Sequence, residues 1–105
     1  MDMKDKIKVY ISENMGIDDE ATFEILYESF RDTVKENLEK LEKSEREKDA
    51  PSLRSAAHAL KGCAANVGAE EIRQASYEIE MAAKNGELAP CAALIDRIKI
   101  SYAAL

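Results

Sequence analysis

Phe23, Leu26, Phe30, Val34, Leu38 and Leu41 recur at steps of three and four, the spacing that gathers apolar side chains on one face of an α-helix. Asp18, Asp19 and Glu20 stand just ahead of this stripe, where negative charge suits the positive end of the helix dipole. The pattern predicts a long helix over 19–47, whose far end, "EKSEREKD", is a solvated charged stretch. A second stripe, Leu53, Ala57, Leu60, Ala64 and Val67, predicts a helix over 50–67, with Asp49 as its cap, Pro51 in its first turn and Gly68 at its stop. Ile72, Ala75, Ile79 and Ala83 predict a third over 69–85, closed by "KNG". Leu94, Ile95, Ile98, Tyr102 and Leu105 predict a fourth over 88–104, with Pro90 in its first turn.

The first residues read two ways. Met3, Ile7, Tyr10 and Ile11 fit a helix over 2–14 stopped at Gly16, while Ile7, Val9 and Ile11 alternate like a strand. No other segment offers a strand to pair with, which favours the helix. Short connections between long amphipathic segments then give a single all-α domain over 1–105: an antiparallel four-helix bundle with a short additional N-terminal helix packed across it.

Composition agrees. With 105 residues, no Trp, two Pro and four Gly, the chain is long enough for one core without staples and rich in helix formers. Its net charge of −6 excludes nucleic acid as the main partner, because phosphate neutralisation needs clustered Lys and Arg. The N-terminus lacks the apolar run of a signal peptide, and no segment approaches a membrane span. Cys63 and Cys91 lie far apart in apolar helical patterns and read as small core or near-core residues of a reduced, cytoplasmic protein. A single His and two scattered Cys leave no zinc site.

Candidate chemistry concentrates in "AAHALKGCAANVGA", residues 56–69. His58, the only histidine, falls about 130° from the centre of its helix's apolar stripe, at about 100° per residue, and is therefore a surface residue. Gly62 follows one turn on, although glycine costs a helix roughly 1 kcal/mol relative to alanine. Because helical side chains lean toward the N-terminus, a large residue at 62 would cover the patch beside the imidazole; glycine leaves it open. Lys61 at i+3 and Arg54 at i−4 set positive charge along the ring's flank. An exposed imidazole with a cleared approach and cations nearby suits a group that receives or hands over an anion.

Counting outward from a reversal near Val67 to Ala69 sets His58 level with Glu80, with Tyr77, Met81 and Lys84 on neighbouring turns. A carboxylate there accepts the Nδ1 proton, fixes the tautomer, aims Nε2 outward and favours the protonated ring. Lys84 adds a further cation. The plainer readings are that Glu80 and Lys84 form an ordinary i,i+4 pair, and that Tyr77 and Met81 are edge-of-core packing rather than an apolar rim for a docking partner. Nothing resembles a Walker loop, a kinase glycine loop or a Mg²⁺-binding carboxylate cluster, so no autonomous kinase or ATP site is expected.

"AHALKGCAANVGA" resembles the H-x-L-K-G-x-A-x-N-x-G-A signature of histidine-containing phosphotransfer (HPt) domains, which relay phosphoryl groups in two-component signalling. The likeness extends to the long Phe-containing helix before it, the Asp49 start and the helix ending in "KNGEL". By this resemblance His58 matches the phosphorylated histidine, Lys61 the phosphate-contacting lysine, Gly62 the glycine that gives access, and Asn66 and Gly68 the residues that shape the turn. Cys63 stands where serine is common. Glu80 stands where glutamine is common, and glutamate there is similar to the substrate domain of chemotaxis-type kinases. The resemblance implies a phosphoryl-carrying monomer whose partners are response-regulator receiver domains and a hybrid sensor histidine kinase. It implies no cofactor of its own, with Mg²⁺ coming from the receiver.

Two other readings compete. A helical adaptor without phosphotransfer would use the small-residue patch to bind a partner helix, but gives no reason for His, Lys and Gly at this spacing. A substrate domain cut from a chemotaxis-type kinase is the other; Met1 and a last helix running to Leu105 favour a free-standing protein.

Overall fold

Three of the five helices begin where a side chain can stand in for the missing intrahelical acceptor. In the computed structural model, which describes all residues from Met1 to Leu105, Asp2 caps α1 (Met3–Met15), Asp19 caps α2 (Glu20–Arg46) and Asp49 caps α3 (Ala50–Val67). In each case the carboxylate accepts from the backbone N–H three residues on, at 2.8 Å from Asp5, 2.9 Å from Thr22 and 3.2 Å from Ser52. Two further helices, α4 (Glu70–Lys84) and α5 (Cys91–Ala103), start without such a cap. No strand is present, and the alternation of Ile7, Val9 and Ile11 belongs to α1: Ile7 and Ile11 are buried while Val9 is exposed.

Helices α2 to α5 form the antiparallel bundle, with α3 packed on both α2 and α4, and α5 on α4 and α2. The body measures 43 × 21 × 19 Å, its long axis close to the roughly 40 Å expected of a helix as long as α2. One core runs through it, built from Phe23, Tyr27, Phe30, Val34 and Leu41 on α2, Leu53 and Leu60 on α3, Ile72 and Ile79 on α4, and Cys91, Leu94 and Ile98 on α5. The buried faces of α3 and α4 include several small side chains: Ala57 and Ala64 on one helix, Ala75 and Ala83 on the other. Alanines at a helix interface let two backbones approach closely.

The α3–α4 reversal depends on Gly68, whose φ of +72° lies in the left-handed region. A Cβ there would also lie 2.5 Å from the Tyr10 ring of α1. Thus α1 seats its tyrosine on the turn and closes that end of the bundle. Lys4 pairs with Glu24 at 3.0 Å, and Lys8 with Glu20, tying α1 to α2.

Several details differ from the sequence expectation. α5 starts at Cys91, not near Leu88, and Pro90 precedes the helix instead of lying in its first turn. Cys91 N–H donates to the Leu88 carbonyl at 3.0 Å, closing a turn ahead of the helix. On α2 the core takes Tyr27 fully while Leu26 is only partly buried. The tyrosine can be buried because its hydroxyl donates to the Leu105 carbonyl oxygen at 2.6 Å. Asn37 and Ser44 are buried too, each donating to the carbonyl four residues back. The α2–α3 connection contains no glycine; Lys48 itself adopts a φ of +54°.

Candidate functional site

Gly62 lies within α3 with nothing within 4 Å of a Cβ built on it. Packing does not demand glycine at this position; a small side chain would fit. What the glycine leaves is bare backbone on the surface one turn beyond His58. The histidine itself is exposed, with 69% of its side-chain surface open to solvent, as its angle from the apolar stripe requires.

Helix α4 supplies the carboxylate. Glu80 Oε2 lies 2.6 Å from His58 Nδ1, and Oε1 lies 2.6 Å from Lys61 Nζ. A carboxylate can only accept, so Nδ1 carries the hydrogen, and Nε2 is left without a partner in the protein. Both oxygens of Glu80 are thereby engaged, and only 12% of its side-chain surface is exposed. Burial works against the charged carboxylate, yet the hydrogen bonds from Lys61 and His58, with their charges, outweigh it and hold Glu80 below the usual carboxylate range.

Lys61, partly buried beside Glu80, also lies 5.7 Å from the centre of the Tyr77 ring. Tyr77 is exposed and forms the edge of the site rather than part of the core. Met81, the other edge position, is partly buried. On the other flank, an open groove of about 610 Å³ between α3 and α4 is lined by Pro51, Arg54, Ser55, His58, Glu80 and Lys84, among others. The i,i+4 pairing of Glu80 with Lys84 does not form: Glu80 turns across to α3, where two donors converge on it. Lys84 and Arg54 make no ion pair and face the groove as free cations. A chain of net charge −6 therefore carries a locally basic patch around its one imidazole.

Of the five residues singled out from the sequence, His58, Lys61 and Glu80 are in direct contact, Lys84 lines the same groove, and Gly62 lies one turn along α3 on open surface. Arg54 lines the groove too. The direct Lys61–Glu80 contact was not expected from the sequence, which pairs that lysine only with an incoming anion; nothing but the counted register of the two helices could have signalled it. Cys63 is partly buried and Cys91 fully so, both as free thiols, with burial pushing each thiol up from its ordinary pKa. No cluster of three or more His, Cys, Asp or Glu side chains is arranged to hold a metal ion.

An exposed imidazole with one nitrogen fixed by a carboxylate, the other free, a lysine alongside and a cleared approach has the chemistry to take up and hand over a small anionic group. The family model for the Hpt domain matches residues 25–105, and the chain belongs to that family. The match covers all of α3, α4 and α5 and most of α2, leaving α1 outside it. No curated protein and no solved structure matches the chain. Family membership gives the protein a phosphotransfer role in two-component signalling, with receiver domains and kinases as the class of partner. No helix is long and apolar enough to cross a membrane.

Proposed function

We propose that His58 is the phosphoryl acceptor, taking the group from the aspartate of a receiver domain, or from a kinase, and passing it to a second receiver. Supporting this above all is the Glu80 contact: it fixes the hydrogen on Nδ1 and leaves the Nε2 lone pair free on an exposed ring.

In the forward step the Nε2 lone pair attacks the phosphorus of the aspartyl phosphate in line. The P–N bond forms as the P–O bond to the aspartate breaks, and the electron pair leaves on the aspartate as a carboxylate. The ring becomes a phosphoimidazolium whose Nδ1–H stays on Glu80. Transfer to the second receiver reverses these events, and the leaving imidazole departs neutral. A Mg²⁺ ion held by the receiver would supply charge neutralisation for the transferring group. On this chain Lys61 supplies the nearest cation, with Lys84 and Arg54 further along the groove, and Gly62 leaves room for the receiver to bring its aspartate up to the ring. The protein is a monomeric, cytoplasmic way station and makes no phosphoryl donor of its own.

Glutamate in place of the common glutamine supports one second reading, the substrate domain of a chemotaxis-type kinase. In that case an ATP-loaded kinase, not a receiver, would label His58. The deciding experiment incubates the protein with a phosphorylated receiver domain and looks for acid-labile, base-stable label. Label on the parent and none on a folded His58→Gln variant is the expected result. Equal labelling of the two removes His58 from the reaction, and labelling by a kinase alone selects the second reading.

A further inference from the structure

The Lys61–Glu80 pair has to change when a phosphoryl group arrives. Lys61 Nζ is committed to Glu80 Oε1 at 2.6 Å, while the proposed phosphoryl position lies on the ring nitrogen that Glu80 does not touch. If Lys61 swings to the phosphoryl oxygens, Oε1 of a carboxylate only 12% exposed loses its cation, and water can replace it only in part. If Lys61 stays, the phosphoryl group goes without its nearest positive charge and lies beside a carboxylate. On the first course the phosphorylated protein loses an ion pair that the free protein has; on the second it carries the phosphoryl group without its nearest cation.

We infer that Glu80, by competing with the phosphoryl group for Lys61, weakens the hold of His58 on that group, so that this chain is set to pass its phosphoryl group on and not to retain it. The inference rests on the assignment of His58 as acceptor and goes beyond it: it makes Glu80 a positioning residue that also sets the balance of the transfer. Glutamine would behave differently. With its amide oxygen accepting from Nδ1–H, its NH₂ group faces Lys61, and a cation cannot pair with a donor. Lys61 is then free for the phosphoryl oxygens with no carboxylate to abandon. The Nδ1 contact is kept by both residues; the carboxylate also favours the positively charged phosphoimidazolium, an effect that opposes the competition for Lys61 and is all that remains when Lys61 is removed.

Phosphoramidate tests this without a receiver. Its P–N bond breaks, ammonia leaves, and a P–N bond forms to Nε2 of the ring, with Nδ1–H retained on residue 80. In ammonium buffer at a fixed ratio of phosphoramidate to ammonia, the steady proportion of phosphorylated protein, read by intact mass and ³¹P NMR, reports how strongly His58 holds the group. Glu80→Gln should raise the ratio of phosphorylated to free protein about threefold to fivefold, the range of a partly screened ion pair. In a Lys61→Ala background the same substitution should no longer raise the ratio. The ¹⁵N resonance of the Lys61 ammonium should also move on phosphorylation of the parent. Equal ratios in the parent and Glu80→Gln, or an equal rise with and without Lys61, would overturn the inference while leaving His58 the acceptor. Absence of label on every variant is the distinct result that overturns the acceptor assignment itself, and this inference with it.

Discussion

Glu80 meets His58 at Nδ1, 2.6 Å away across the α3–α4 interface, and so decides which ring nitrogen is free. The tautomer should respond to the acceptor at position 80 rather than to its charge. Ring ¹⁵N shifts should report hydrogen on Nδ1 in the parent and in Glu80→Gln, and a mixture of tautomers in Glu80→Ala. Transfer to His58 should slow about tenfold in Glu80→Ala, equivalent to roughly one hydrogen bond. Parent-like shifts in Glu80→Ala would mean that the carboxylate does not orient the ring.

Gly62 offers a test of access that separates stability from function. Since no atom lies within 4 Å of its Cβ position, Gly62→Leu should fold and gain up to about 1 kcal/mol from helix propensity. Transfer from a receiver should fall by more than about tenfold, the equivalent of some 1.4 kcal/mol of lost docking, whereas labelling by phosphoramidate, a far smaller donor, should fall much less. Unchanged receiver transfer in this variant would show that the glycine does not serve approach.

Gly68 is constrained twice, by its φ of +72° and by the Tyr10 ring 2.5 Å from any added Cβ. Gly68→Ala should cost about 2 kcal/mol or more, part of it the roughly 1–2 kcal/mol of left-handed backbone, and lower the Tm by about 8 °C or more. Adding Tyr10→Ala should recover the steric share, giving a double variant less destabilised than the sum of the singles. Strict additivity in thermal melts would show that the ring does not press on the turn.

Acid should weaken the fold partly through Glu80. Its carboxyl is held below the ordinary value of 4.5, so the unfolded chain binds the proton more readily than the folded one. The stabilisation is therefore fully present above about pH 4.5 and is lost as the pH falls through the lower, folded value. Glu80→Gln should show a shallower fall of Tm between about pH 5 and pH 3 than the parent. The fall should not vanish, because the capping carboxylates Asp19 and Asp49 are also held below their ordinary values by hydrogen bonds from Thr22 and Ser52. Parallel curves for the two proteins would detach Glu80 from folding.

Helix number, order and most of the buried face were legible because each stripe keeps one period over many residues, as with Leu53, Ala57, Leu60, Ala64 and Val67. The register of α3 against α4 was legible because the reversal at Gly68 is short, and counting outward loses little over so few turns. Where a contact depends on the reach of a long side chain, the pattern is silent. Lys61 bends to Glu80, Glu80 ignores Lys84, and Tyr27 enters the core only because the Leu105 carbonyl waits for its hydroxyl. The start of α5 was set too early because proline is as much at home just before a helix as within its first turn. Lys48, in a left-handed turn without glycine, gave no sign at all.

The buried alanines of α3 and α4 act as a gauge block for the chemistry. Ala57, Ala64, Ala75 and Ala83 are buried on the two helices that carry the imidazole and the carboxylate. Small buried side chains let the two helices stand close, and the gap between ring and acid follows from that separation. A larger side chain at one of these buried positions has to be accommodated by a shift of its helix, which would detune the site from within.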